Sequence, residues 1–161
     1  MIKIIAILIS LWMILSLPGC ASLPSPQVTE GEFPFEIVYE IDGETVTVND
    51  VYVCAFSGFG LNTGGIHREW EGYIKSSGDE ALILFEDDGL KLACSVGSPE
   101  YYMSDPVVSS EEYVPKVYYV IEPNDVGGKT YGALGIESLL AQYKIELISW
   151  KLSEPIQNSF E

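Results

Sequence analysis

Apolar residues recurring at every second position, in short blocks closed by turn dipeptides, limit this chain to antiparallel β-structure more firmly than any other feature. Phe35, Ile37, Tyr39 and Ile41 alternate with Glu36, Glu40 and Asp42, so one face of a strand is apolar and the other is wetted. Asp42-Gly43 follows at once, and both residues tolerate the positive φ that a two-residue type I′ hairpin turn demands. The next strand is expected over Thr45–Val48, with a bulge or bend at Asn49-Asp50 before Val51–Phe56. Arg68–Lys75 alternates around Trp70 and Tyr73. Ala81–Phe85 is an unbroken apolar run that predicts a central strand buried on both faces. Glu86-Asp87-Asp88-Gly89 predicts a second hairpin turn into Leu90, Leu92, Cys94 and Val96.

The rest of the chain adds three elements. Gly97–Pro115 is a long stretch without a period, Lys116–Glu122 is rich in Val, Ile and Tyr, and Ile145–Trp150 alternates again. Ile136, Leu139, Leu140 and Tyr143 recur at helical spacing, with Glu137 favourably placed near the helix N-terminus. The expected fold is mainly β: an antiparallel sandwich or a curled, barrel-like sheet of about seven strands with one short C-terminal helix. An α+β layer arrangement is the alternative.

The N-terminus follows different rules. Lys3 precedes an apolar run from Ile4 to Leu17, and Pro18-Gly19 then breaks it before Cys20. About 14 apolar residues fall short of the ~20 that a membrane-spanning helix needs. A charged start, an apolar middle and a small residue before the cut form an export signal over residues 1–19. Leu17-Pro18-Gly19-Cys20 resembles the lipobox of bacterial lipoproteins. That resemblance implies cleavage before Cys20, a diacylglyceryl group on its sulfur, and attachment to the extracytoplasmic face of the cell membrane. With the general layout, it makes the chain similar to small lipoproteins of Gram-positive bacteria and implies no activity. Two acyl chains anchor stably where one is marginal. Residues 20–32, with Ala21-Ser22-Leu23-Pro24-Ser25-Pro26-Gln27, read as a lipidated tether reaching roughly 40 Å when extended. Residues 33–152 then form a single β-rich domain, and 153–161 a loose tail.

Charge narrows the partners. Lys3 is the only charged residue in 1–19, so the remaining 142 residues carry seven basic and 24 acidic side chains, a formal charge of −17. Such a surface repels nucleic acid and anionic lipid and attracts cationic protein. A chain of this length holds one core, not the two lobes of a solute-binding protein. Cys54 and Cys94 are the cysteines left after Cys20. Export permits a bridge between them, with about 4 kcal/mol from closing the loop, and two buried thiols fit their apolar surroundings equally well.

No motif names a reaction. Gly58–Gly65 is glycine-rich, but the strands expected on both sides and the missing Gly-Lys-Ser/Thr exclude a phosphate cradle; a hairpin loop is expected. Asp79, Glu80 and Glu86-Asp87-Asp88 lack the Asp-x-Asp-x-Asp-Gly spacing of a calcium loop. His67 is the sole histidine and has no His-x-His or Glu-x-x-His partner, so neither a metal nor another cofactor is expected. The expected function is a non-catalytic binding module for a protein or cell-envelope ligand. Its contact surface would draw on Gly60, Gly64, His67, Arg68, Trp70, Tyr101, Tyr102 and Met103. Two alternatives stand beside it. One is an acidic inhibitor or immunity-type lipoprotein that captures a basic enzyme. The chain is similar in size to β-barrel lipoprotein inhibitors of lysozyme, though it lacks their Ser-Gly and Tyr/Trp-Lys-Gly motifs. The other is a glycan hydrolase working through paired carboxylates.

Overall fold

The computed structural model describes residues 23–106, 114–121, 130–133 and 135–161. The expected export signal and Cys20 lie outside these residues, as does the turn expected over Pro123–Gly128. Two four-stranded antiparallel sheets face each other across one core, so the fold is mainly β as the alternation predicts. The first sheet has the order β3-β2-β1-β8, with β1 at Glu30–Ile41, β2 at Glu44–Asn62, β3 at Gly65–Ile74 and β8 at Ile145–Lys151. The second has the order β4-β5-β6-β7, with β4 at Leu82–Asp87, β5 at Leu90–Ser95, β6 at Lys116–Ile121 and β7 at Thr130–Ala133. Helices α1 (Pro99–Tyr102) and α2 (Ile136–Tyr143) complete the elements among the described residues.

Alternation becomes burial directly. Phe33, Phe35, Ile37 and Tyr39 of β1 point into the core with Tyr52 and Cys54 of β2, and meet Leu92, Cys94 and Val117 from the second sheet. Pro34 is tolerated in β1 because β8 pairs only with Glu36–Ile41, leaving Pro34 where the strand has one neighbour. Both hairpin turns have the backbone their sequences require: φ is 52° and 84° at Asp42-Gly43, and 42° and 79° at Asp88-Gly89. On α2, Leu139 is buried and Tyr143 meets the ring of Phe85 at 6.0 Å.

Three expectations about the strands are corrected. Asn49-Asp50 does not bend the chain: β1 and β2 stay in register there, and Asp50 instead accepts a hydrogen bond from the Ser76 hydroxyl. The shift in register comes later, between Phe56 and Gly58. Ser57–Asn62 is not a loop but the outer end of β2, with the chain turning only at Thr63-Gly64. Short side chains let the strand run on: an added Cβ at Gly60 would collide with Glu69 and His67. The apolar run Ala81–Phe85 does not form a central strand; β4 lies at a sheet edge. A register shift between Ile83 and Phe85 brings both Leu84 and Phe85 against the core, which explains the continuous hydrophobicity without two buried faces.

Nor are the chain ends loose. The expected tether and tail pair with each other: Ser25 exchanges backbone hydrogen bonds with Glu161, and Gln27 N–H donates to the Ser159 carbonyl. Asn158 locks the pair, its amide donating to the Val28 and Met103 carbonyls while its oxygen accepts from Val28 N–H. β1 already begins at Glu30, so the ordered chain reaches much closer to Cys20 than the expected boundary at residue 33.

Cys54 and Cys94 are unbridged thiols with no solvent exposure. Burial pushes each up to about 12 from the ordinary 9.0, with Glu100 adding a smaller push at Cys54. A pKa raised on folding stabilises the fold fully below pH 9, and that contribution is lost as the pH rises from 9 towards 12. Native protein at pH 8 should therefore resist maleimide at both positions, whereas denatured protein reacts. Rapid labelling of either thiol under native conditions would contradict this burial.

Candidate functional site

The residues expected to form one contact surface separate into two groups. Tyr102 and Met103 are core residues with 0% exposure. The segment folds inward because Ser98 caps α1, its hydroxyl accepting from Tyr101 N–H, and Pro99 stands in the first helical turn. Tyr102 stacks on Phe33 at 4.5 Å and donates its hydroxyl proton to the Val96 carbonyl at 2.7 Å. Gly97, at φ 151°, makes room for that ring: a Cβ there would strike it. Tyr101, half-buried, lies edge-on to Tyr102. Adjacent tyrosines on an aperiodic segment suggest a recognition surface, yet a single helical turn is enough to bury one completely.

Arg68 and Trp70 are buried as well, around one carboxylate. Arg68 Nη1 lies 3.2 Å from Asp105 Oδ1, and Trp70 Nε1–H donates to Asp105 Oδ2 at 3.0 Å. Arg68 Nε–H donates to the Pro24 carbonyl at 2.9 Å, while the guanidinium carbon stands 4.2 Å from the centre of the Phe160 ring. This node joins β3, the turn after α1 and both chain ends. At 6% and 8% exposure Arg68 and Trp70 spend their polar groups inside the domain, and of the two only Trp70 also borders open space.

His67 faces away from the node. Its Nε2 is 3.8 Å from Glu69 Oε1, and its Nδ1 has no hydrogen-bond partner among the described residues. Gly60 lies opposite His67 and Gly64 in the hairpin turn, where its N–H donates to Asn62 Oδ1. Among the described residues no group of three or more metal-binding side chains is present, and no helix is long and apolar enough to cross a membrane.

A site with room for a ligand is present that sequence spacing does not indicate. A cleft of about 630 Å³ opens along the β3 edge, where the first sheet faces β5, β6 and α1. Tyr52, Trp70, Tyr73 and Tyr118 supply aromatic surface, and Glu71 and Glu80 supply carboxylates. Gly72 keeps the wall thin, since a Cβ there would collide with the Tyr52 hydroxyl and Pro99. The volume is that of an ordinary small-molecule or oligomer site. Its residues come from five separate elements and the loop after β3, so only their convergence reveals it. Comparison with protein-family models, with curated proteins and with solved structures finds no match.

Proposed function

We propose that this chain is a lipoprotein, anchored through Cys20 on the extracytoplasmic face of the cell membrane, that works as a non-catalytic binding module for a cell-envelope glycan. The observation that carries the ligand class is the aromatic and carboxylate lining of the β3 cleft. Aromatic rings pack against the apolar faces of sugar rings, and carboxylates accept hydrogen bonds from sugar hydroxyls. An uncharged or weakly charged polymer suits a surface of −17 better than a polyanion does. Calorimetric titration of the mature chain with soluble envelope glycan oligomers should show saturable binding. Tyr73, 39% exposed on the cleft rim, is the residue to test. Y73A should weaken binding about tenfold, a typical cost of losing one aromatic anchor. Wild-type protein that binds no oligomer would overturn the reading.

The same charge favours a second reading, capture of a basic protein such as a lysozyme. Binding of that kind should fall steeply with added salt, whereas glycan binding should be nearly salt-independent. Release of reducing ends in the titration mixture, abolished by E71Q or E80Q, would point to the hydrolase alternative.

A further inference from the structure

The outer end of the β2–β3 hairpin overhangs the sandwich and carries apolar side chains on the face that elsewhere is core. Phe56 is paired with Trp70, Phe59 with Arg68 and Leu61 with Ile66, so these six share one face. Towards the domain the face is covered: Trp70 is 8% and Arg68 6% exposed. Beyond Arg68 the cover ends, leaving Phe59 45%, Ile66 55% and Leu61 79% exposed.

The chain's own N-terminal segment leads to this end. Glu30 is paired with Ala55, Thr29 accepts from Phe56 N–H, and Pro24 accepts from Arg68 opposite Phe59. Reading back from Glu30 to Pro24, the segment therefore runs along β2 towards the hairpin tip. Pro24 is four positions from Cys20, at most about 14 Å of chain. Ile66 lies two residues beyond Arg68, about 7 Å further along the strand. Charge follows the same geometry. Residues 51–68 contain no acidic side chain, in a chain that has 24 of them. The Glu69 carboxylate reaches this end beside Gly60 and His67, but on the opposite face, so the face carrying Phe59, Leu61 and Ile66 can approach a bilayer of anionic lipid without close repulsion.

We infer that the hairpin tip, Phe59, Leu61 and Ile66, docks into the interface of the same bilayer that holds the Cys20 lipid, seating the domain on the membrane in one fixed orientation. The inference rests on the lipid-anchor reading. Lipid supplies the attachment, and the tip supplies a second apolar contact that fixes the angle. The β3 cleft is then held at a set height instead of swinging on a long tether.

The test uses the full chain, processed in bacteria and reconstituted in phosphatidylcholine vesicles with and without brominated lipid. L61C and, separately, I66C carry an environment-sensitive maleimide fluorophore; Cys54 and Cys94 are buried and stay unlabelled. E44C, at the opposite end of β2, is the reference. Mass spectrometry first establishes whether Cys20 carries acyl chains. With lipid present, the tip probes should emit at shorter wavelength than the E44C probe and be quenched at least threefold more by brominated lipid. A lipidated chain whose tip probes match the E44C probe would overturn the docking and leave the anchor standing. Tip probes shielded from water but not quenched by bromine would mean that a second copy or another protein covers the tip, which also overturns it. A chain without acyl mass would remove the anchor and the docking together.

Discussion

Replacing Asp105 by alanine should destabilise the domain by about 3–5 kcal/mol, the usual consequence of stripping one partner from a buried ion pair. The Arg68 and Asp105 side chains are 3% and 1% exposed, so neither charge has water to fall back on. Among the described residues, D105A leaves the guanidinium with the Pro24 carbonyl and the Phe160 ring, and it takes from the Trp70 N–H its Asp105 acceptor. Denaturant unfolding followed by Trp fluorescence reads the loss as a lower midpoint at unchanged slope. The double replacement R68M/D105L separates charge from shape. Apolar groups of similar volume are often neutral in place of a buried pair, so the double variant should recover much of the stability. A D105A protein as stable as wild type would show that the node contributes nothing.

Deleting residues 153–161 should be nearly as damaging and should also free the segment that leads back towards Cys20. The last nine residues supply Ile156 N–H to the Tyr102 carbonyl, the Ile156 carbonyl to Ser104, the Asn158 lock, the pairing with residues 25–27, and the Phe160 ring beneath Arg68. At about 1 kcal/mol net per hydrogen bond, partly offset by the regained freedom of nine residues, a loss of about 3 kcal/mol or more is expected. Residues 25–28 lose their tail partners as well, leaving residues 23–29 held, among the described residues, only by the bonds at Pro24 and Thr29. Limited proteolysis should then cut within them in the truncated protein and leave them intact in wild type. The tether would lengthen from the four residues after Cys20 to about ten, roughly 35 Å. If this segment stays protected without the tail, the pairing of the two ends is not what holds it.

Legibility of the fold tracked how local each signal was. Phe35, Ile37 and Tyr39 could be assigned to a buried face because two-residue alternation is a property of one strand. Asp42-Gly43 and Asp88-Gly89 could be assigned to turns because the required φ belongs to those residues alone. The run Ala81–Phe85 misled, since a bulge at an edge strand and a strand buried on both faces give the same apolar string. Ser57–Asn62 misled for the opposite reason: glycines suggest a loop, while here Gly60 serves cross-strand packing of His67 and Glu69.

The candidate site was legible only in fragments. His67, Arg68 and Trp70 stand out as a polar and aromatic cluster, yet alternate residues of a strand face opposite sides. Arg68 and Trp70 therefore went inward to Asp105 while His67 stayed outside. Asp105, thirty-seven residues from Arg68, has no local mark as its partner. Trp70 and Gly72 border a cleft with Tyr118 because β3 and β6 end up across from each other in different sheets, and Glu71, Tyr73 and Glu80 join its lining only at the β3 edge. One signal was available for the hairpin tip, the acid-free stretch 51–68, whose meaning depends on where the chain end lies.

By itself, then, the sequence determined the strand faces, the hairpin turns, the short C-terminal helix and the lipobox-like Cys20, because each is set by neighbours in the chain. Tertiary structure decided which apolar residues were covered, closed the buried Arg68–Asp105 node, tied the two chain ends together and left Phe59, Leu61 and Ile66 uncovered beside the exit towards Cys20. Those outcomes depend on contacts between residues far apart in the chain, whose energies exist only once the two sheets have packed.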